Sequence, residues 1–558
     1  MTRLLARTIP RTLTQLVARF AEQPATRIEA WLFEDEAARR DAERTLAAAG
    51  VRARLHAAYK PLLHFFLEDV DARRANQIEI RTPGGQAQRF RLEAYPLASL
   101  FESASVRFAD GDDASHYVVT VDGKTSRVFA PNDATHSPCG WLRVWDGDTL
   151  IEDAPLHTEF EQVIETAQEA IAEHAWLDST PYFDTLEIAV ATTGIERPLA
   201  YGLERVSTFE ALHEDLYYGV LEWFQARAGL PAGDRTLQPG QIVPDITVTD
   251  GDTTVVVALK QHALDEPPPD LRYTLDTVTY PLTPTDVQAE LARLPGARFG
   301  TTSWQGRRVD GVYVSGSLPG LAITAGQHAN ESSGIVGALR AAHVLNGIAR
   351  AHYALVPLEN PDGAALHRRL RATQPTHIAH AARYTALGDD LEARTAEPFG
   401  EKAARLEAIE RSGARLHLSL HGYPAHEWTR PRAGYVPKGN ELWTVPKGFF
   451  LILRHHPEHD GLPFLRALTG RLAESKELTA FNARQAASWR AHVGDLPFET
   501  FNGIQCLVYE DTRSSVPYTL IAEFPDETIY DEAFQLAHTT QMRTVVEAAR
   551  LYWDGLLA

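Results

Sequence analysis

Three observations in the 558-residue sequence predict an α/β fold for its C-terminal half, preceded by smaller α+β modules. From about residue 285, strand-like runs alternate with helical ones, the pattern of a mostly parallel or mixed sheet with helices on its faces. Between residues 76 and 145 the pattern differs: short alternating strands are separated by the turn signals Pro83-Gly84-Gly85, Asp122-Gly123 and Asp146-Gly147. Residues 229–275 are rich in Pro, Gly and Asp, and Pro267-Pro268-Pro269 is the clearest linker signal in the chain. The expected division is 1–175 for an α+β module, 176–280 for a second module with the linker, and 281–558 for one large domain.

The N-terminal stretch 1–23 carries Arg3, Arg7, Arg11 and Arg19 spread through it and reads as an amphipathic first helix. A secretory leader would confine its charge to the start and follow it with a continuous apolar run. Residues 27–33 read as a strand through Ile28, Trp31, Leu32 and Phe33. Residues 35–49 lack Pro and Gly and read as a helix, which Gly50 stops. Residues 51–56 form a second strand and complete a βαβ-like unit. Helices follow at 159–175 and 208–228, the second with Leu212, Leu216, Val220, Leu221 and Phe224 on one face. In the large domain, 286–294 and 332–348 read as helices. Residues 309–315, 321–324, 353–358, 415–420 and 518–524 read as strands.

Composition limits the function classes. Acidic residues number 74 and Lys plus Arg 54, a net charge of −20, which disfavours a nucleic-acid-binding surface. Hydrophobic residues at 44% and charged ones at 23% describe an ordinary globular chain rather than a disordered, collagen-like or disulfide-built one. No apolar run approaches the ~20 residues of a membrane span. The two cysteines, Cys139 and Cys506, lie far apart, and a reducing compartment, the cytoplasm, is expected. Oligomeric state is left open.

Three polar segments fall at the downstream ends of predicted strands, where open α/β sheets bind their ligands. They contain His328 and Glu331, then His421, then Glu523. His328 and Glu331 are three apart where a strand turns into a helix, so an imidazole and a carboxylate can converge on one cation. With His421 they make a His₂Glu set that leaves a fourth position open, the catalytic form of a zinc site. Glu523, outside the ligand set, is the candidate for moving the proton. Other titratable groups read as structure. His455-His456-Pro457-Glu458-His459 reads as a solvated turn, His377 with His380 as a solvated helix face, His213-Glu214-Asp215 likewise, and His417 as a structural histidine.

Five segments together resemble the zinc carboxypeptidase (M14-type) family, from about residue 283 to the end. Ser303-Trp-Gln-Gly306-Arg307 is similar to the family's Ser-x-x-Gly-Arg segment, and His328-Ala-Asn-Glu331 to its His-x-x-Glu ligands. Asn360-Pro361-Asp362-Gly363 matches its Asn-Pro-Asp-Gly turn. Ser419-Leu-His421-Gly-Tyr423 resembles the segment of the second ligating histidine, and Tyr518-Thr-Leu-Ile-Ala-Glu523 the strand of the catalytic glutamate. The resemblance implies a mixed, mainly eight-stranded sheet and one zinc per chain on His328, Glu331 and His421. It also implies hydrolysis of a peptide or related small amide with Glu523 as base. Arg383 aligns with a family arginine that stabilises the oxyanion. Where the family grips a terminal carboxylate with Asn and Arg, this chain has Glu392 and Ala393, and Arg394 lies one position later. Arg394 and Tyr423 are the candidates for substrate contact. The departure keeps two alternatives open: hydrolysis of a non-standard amide (γ-glutamyl, acyl-amino acid or modified peptide) that needs no free carboxylate, or an inactive binding module. Residues 1–280 carry no motif that converts to chemistry.

Overall fold

The computed structural model describes residues 1–22, 25–72, 74–101, 104–262, 264, 266–270, 272–427, 429–433, 446–493 and 498–557. The N-terminal half contains three four-stranded sheets. The start of the chain is a strand, Thr2–Ile9, and only then a helix, Thr12–Glu22, rather than one amphipathic helix. Thr2–Ile9 runs antiparallel along Thr253–Lys260, in the sheet that also holds Thr185–Thr192 and Gln241–Val248. A partner some 250 residues away decides this segment, as is common for strands, whose propensity depends on their neighbours. The hydrophobic core of this half extends from Ile9 to Val257 and takes in Leu366, Leu370, Ala379, Ala381, Ala382 and Tyr384 from further along the chain.

The C-terminal half is built on one mixed sheet. Its strands are β1 (Ala297–Thr302), β2 (Arg308–Val314), β3 (Leu321–Ala325), β4 (Tyr353–Val356), β5 (Leu416–Pro424), β6 (Phe450–His455), β7 (Glu499–Phe501), β8 (Ile504–Glu510) and β9 (Tyr518–Glu527). They lie in the order β1-β2-β4-β3-β5-β9-β6-β8-β7. There are nine strands where eight were expected. Asn502 and Gly503, both at positive φ, turn the chain back on itself and add the short edge strand β7 to β8.

The central strands β3, β5 and β9 are mutually parallel, so their C-terminal ends point the same way. Because strand side chains alternate, the two faces of this region differ. Leu416, Leu418, Leu420, Leu451, Leu453, Leu520, Ala522 and Phe524 belong to the apolar core. The opposite face carries His417, Ser419 and His421 on β5, level with Thr519, Ile521 and Glu523 on β9. Two helices, Ser333–Leu345 and Asp531–Trp553, contribute further residues to that core. They come close at Gly337, where a Cβ would lie 2.5 Å from that of Gln541. Both cysteines are buried and free. No helix among the described residues is long and apolar enough to cross a membrane.

Candidate metal centre

The site lies on the polar face of the sheet, at the C-terminal ends of β3, β5 and β9. His328 sits in the short turn after β3, and Glu331 follows one turn later, its N–H donating to the His328 carbonyl at 3.2 Å. His421 lies near the end of β5. All three are buried, at 5%, 2% and 8% exposure. The Nδ1 atoms of the two histidines face each other at 3.2 Å, and each also faces a Glu331 oxygen: His328 at 2.8 Å from Oε1, His421 at 3.0 Å from Oε2. Among the described residues this is the only group of three or more such side chains whose ligand atoms converge, all lying within 4.8 Å of one another.

The donor set fits a small cation. Two nitrogens each ~2.05 Å from a tetrahedral ion stand roughly 3.3 Å apart, close to the separation present here. Two imidazole nitrogens and a carboxylate turned inward on one point also match the His₂-carboxylate chemistry of a site with an open position. Each ring has a lone pair to offer, and only one proton can lie between the two facing nitrogens.

Electrostatics around the triad is strongly biased. Burial opposes the charge of Glu331, but His328 and Arg383 outweigh it and hold its carboxyl well below the usual range. Burial and Arg383 pull His328 down, yet Glu331 and Asp390 raise it overall. Arg383, half-buried, contacts Glu331 Oε1 through Nη1. Glu523 stands directly across from His421 in the β5–β9 register and makes no hydrogen bond among the described residues. Burial, then repulsion from Glu331, pushes its carboxyl well above the usual range. A raised carboxyl that still faces a cationic arginine has the profile of a group that takes up and releases protons.

Asp390 belongs to this site and was missed in the sequence. Its Oδ2 lies 3.3 Å from His328 Nε2, and its Oδ1 accepts from Gln327 Nε2 at 2.9 Å and from the Glu392 N–H at 3.0 Å. It fixes the outer nitrogen of a ring whose inner nitrogen faces the triad, the arrangement that orients metal-binding histidines. From Gln327 a network continues to Arg405, which donates to Glu359 at 2.8 Å and to Glu392 at 2.9 Å. Arg454 reaches the other Glu392 oxygen at 3.0 Å. Burial opposes the Glu392 charge, but Arg405 and Arg454 hold its carboxyl at about 2. Glu392 is therefore a neutralised member of an ion network.

Several expectations are corrected. Arg394 does not face the triad. Its guanidinium is clamped by both oxygens of Asp389, at 2.6 and 2.8 Å, and by Glu401 at 2.5 Å, with only 6% of the side chain exposed. Tyr423 stays on the polar face, but its hydroxyl is committed to the Gly448 carbonyl at 2.6 Å. His377 and His380 are not on a solvated helix. Both are buried, with His377 bonded to Glu196 at 2.8 Å and His380 to Glu214 at 2.6 Å. His213, Glu214 and Asp215 are buried too, at 7%, 0% and 2% exposure, because their helix is enclosed on nearly every side. His417 is structural as expected: it bonds to Thr324 Oγ1 at 2.9 Å, and burial pushes it down to about 3. Glu527, four residues beyond Glu523, is a further buried carboxyl. Among the described residues neither of its oxygens has a hydrogen-bond partner, and burial raises it to about 7.

No family model matches the sequence, and no curated protein matches it. Solved structures do. A metallo-carboxypeptidase from Burkholderia cenocepacia is 15% identical over 55% of this chain and 76% of its own, with a TM-score of 0.29. Carboxypeptidase A from Helicoverpa armigera is 11% identical over 61% of this chain and 95% of its own, at 0.30. A murein-tripeptide amidase from Escherichia coli O157 is 18% identical over 48% of this chain and 97% of its own, at 0.24. Over about half its length this chain is similar to solved metallocarboxypeptidases and to a murein-tripeptide amidase.

Proposed function

We propose that this protein is a zinc-dependent amide hydrolase of the carboxypeptidase type, acting on a peptide or a related small amide. The observation that carries the reading is the convergence of His328, Glu331 and His421 beside Glu523, which stands across from His421 on the neighbouring strand. A zinc ion held by these three residues would supply a Lewis acid that acidifies water and polarises a carbonyl. Glu523 takes a proton from the attacking water and passes it to the departing amine, a role suited to a carboxyl with raised proton affinity. Arg383, beside the triad, donates to the oxygen that gains negative charge during attack; preorganised donors of this kind account for about 3–4 kcal/mol of barrier lowering. Asp390 holds His328 in the tautomer that presents the Nδ1 lone pair inward.

A second reading concerns the substrate. Glu392 is paired and Ala393 has no donor where the family resemblance expects a carboxylate grip, which favours amides that need no free C-terminal carboxylate. Comparing hydrolysis of a free-acid substrate with its C-terminal amide separates the two readings.

The test of the mechanism is Glu523→Gln. The variant should retain about one zinc per chain and lose turnover by at least a hundredfold. Turnover within tenfold of wild type would sink the assignment of the base. Carefully prepared protein that binds no zinc would return the chain to the inactive binding-module alternative.

A further inference from the structure

The segment from His377 to Asp390 brings two residues to the triad, Arg383 and Asp390, and the N-terminal half holds it along its length. Helix α1 (Thr208–Arg227) supplies one side of the grip. Glu210 Oε2 accepts the Ile378 N–H at 2.9 Å, Glu214 Oε2 bonds His380 Nδ1 at 2.6 Å, and Tyr217 stacks on Tyr384 with centroids 6.0 Å apart and planes 10° from parallel. These three residues, spaced four and three apart, share one helix face. A second strip supplies the other side. The Gly240 N–H donates to the Leu387 carbonyl at 2.9 Å, Gln238 Nε2 to Asp389 at 2.8 Å, and the Asp390 N–H to the Arg235 carbonyl at 3.0 Å. The strip and the segment touch backbone to backbone: a Cβ on Gly388, at φ +89°, would lie 2.6 Å from the Gly240 carbonyl oxygen.

Arg383 is bracketed by two of these contacts. Its N–H donates to the His380 carbonyl at 3.0 Å, closing the short 3₁₀ turn His380–Ala382, so the His380 ring and the Arg383 Cα move together. On the other side Tyr384 is stacked against Tyr217. We propose that Glu214 is a positioning residue for Arg383, and that helix α1 makes the N-terminal half a working part of the hydrolytic site. Glu214 is itself fully buried, so water cannot take the place of its 2.6 Å bond to His380. An arginine anchored only at a loose Cα spreads over many rotamers, and misplacement by about 1 Å can lower a rate ~100-fold.

This inference rests on the hydrolase reading given above, so its test has one arm that needs no activity. In metal-free full-length protein, Glu214→Ala should speed amide hydrogen exchange in peptides covering 377–390 by at least tenfold, and the near-isosteric Glu214→Gln by much less. In the zinc-loaded enzyme, Glu214→Ala should lower kcat ten- to a hundredfold with KM within threefold, and Glu214→Gln should recover most of it. On an Arg383→Ala background, Glu214→Ala should lower kcat no further. Unchanged exchange in both variants overturns the proposal. So does a kcat loss that persists in full on the Arg383→Ala background, since Glu214 would then act independently of Arg383. Wild-type kcat in Arg383→Ala alone overturns the hydrolase role of Arg383, while the exchange arm still reports whether Glu214 holds the segment.

Discussion

Replacing Asp390 by asparagine changes one oxygen to an amide nitrogen and nothing else in shape, yet it should cost the site its metal affinity. Oδ1 of Asp390 accepts from two close donors, Gln327 Nε2 and the Glu392 N–H, while Oδ2 faces His328 Nε2 at 3.3 Å and, further off, Arg235 Nη1 at 3.6 Å. An asparagine therefore keeps its oxygen toward the two donors and turns its NH₂ toward His328. That ring now faces a donor and must present a lone pair at Nε2, which moves its proton to Nδ1. Nδ1 is the atom that faces Glu331 and His421, so the inward lone pair is lost.

The usual cost of losing such an outer partner is about 10–100-fold in metal affinity, or about 1.4–2.7 kcal/mol. The upper end is expected here. Asp390 is 2% exposed, so water cannot relieve the mismatch. Asp390→Ala serves as the control, because it removes the acceptor without adding a donor, and it should lose less affinity than asparagine. Zinc affinity is read by competition with a chromogenic chelator at fixed pH and salt. An asparagine variant within twofold of wild type, or weaker binding in alanine than in asparagine, would refute the tautomer argument.

Two further outcomes follow from buried ion pairs. Arg394→Met should destabilise the fold by about 3–5 kcal/mol in chemical denaturation, because it leaves Asp389 and Glu401 buried without their cation, while KM of the folded enzyme stays within twofold; a selective rise in KM would restore Arg394 as a substrate contact. In the N-terminal half, burial opposes the charge of Glu68, but His64 at 2.6 Å and Arg39 at 2.8 Å hold its carboxyl at about 2 against an ordinary 4.5. A depressed folded value contributes stability above the ordinary value and loses it as pH falls toward about 2, on the order of 3 kcal/mol in total. Glu68→Gln should lower stability at pH 7 by at least that amount and flatten its decline between pH 5 and 2, as followed by urea unfolding across that range.

The metal triad was legible because each of its signals is local. A His and a Glu three apart at a strand end, and a His on an alternating strand, fix their own directions once the strands form. Asp390 was not legible, because it joins His328 across sixty residues and sat in a segment being read for a carboxylate grip. The helix around Glu214 misled for a different reason. Its apolar face was read correctly, but its opposite side is covered by residues 377–384 as well, and a helix enclosed on both sides has no solvated face for Glu214 to occupy. The first strand was hidden because its partner, Thr253–Lys260, is remote. Five strands of the large domain, β2, β3, β4, β5 and β9, were legible from their apolar runs, whereas β1, β6, β8 and the turn-dependent β7 were not.

Glu392 stands where the family resemblance expects part of a carboxylate grip. In the structure that glutamate is neutralised, and the arginines around it are engaged as well. Arg394 is held by Asp389 and Glu401, Arg405 by Glu359 and Glu392, and Arg454 by Glu392. A substrate carboxylate would have to displace one of these partners, and for the buried pairs of Arg394 with Asp389 and Glu401 and of Arg405 with Glu359, removing one member costs ~3–5 kcal/mol. Arg383 is the exception, because its partner is Glu331. A cation held by His328, Glu331 and His421 would share the charge of Glu331 and weaken its hold on Arg383. The arginine freed in that way would be the one beside the reacting bond, and not one placed to grip a distant chain end. That ordering favours oxyanion stabilisation over terminal-carboxylate recognition, and with it the class of amide substrates that carry no free acid.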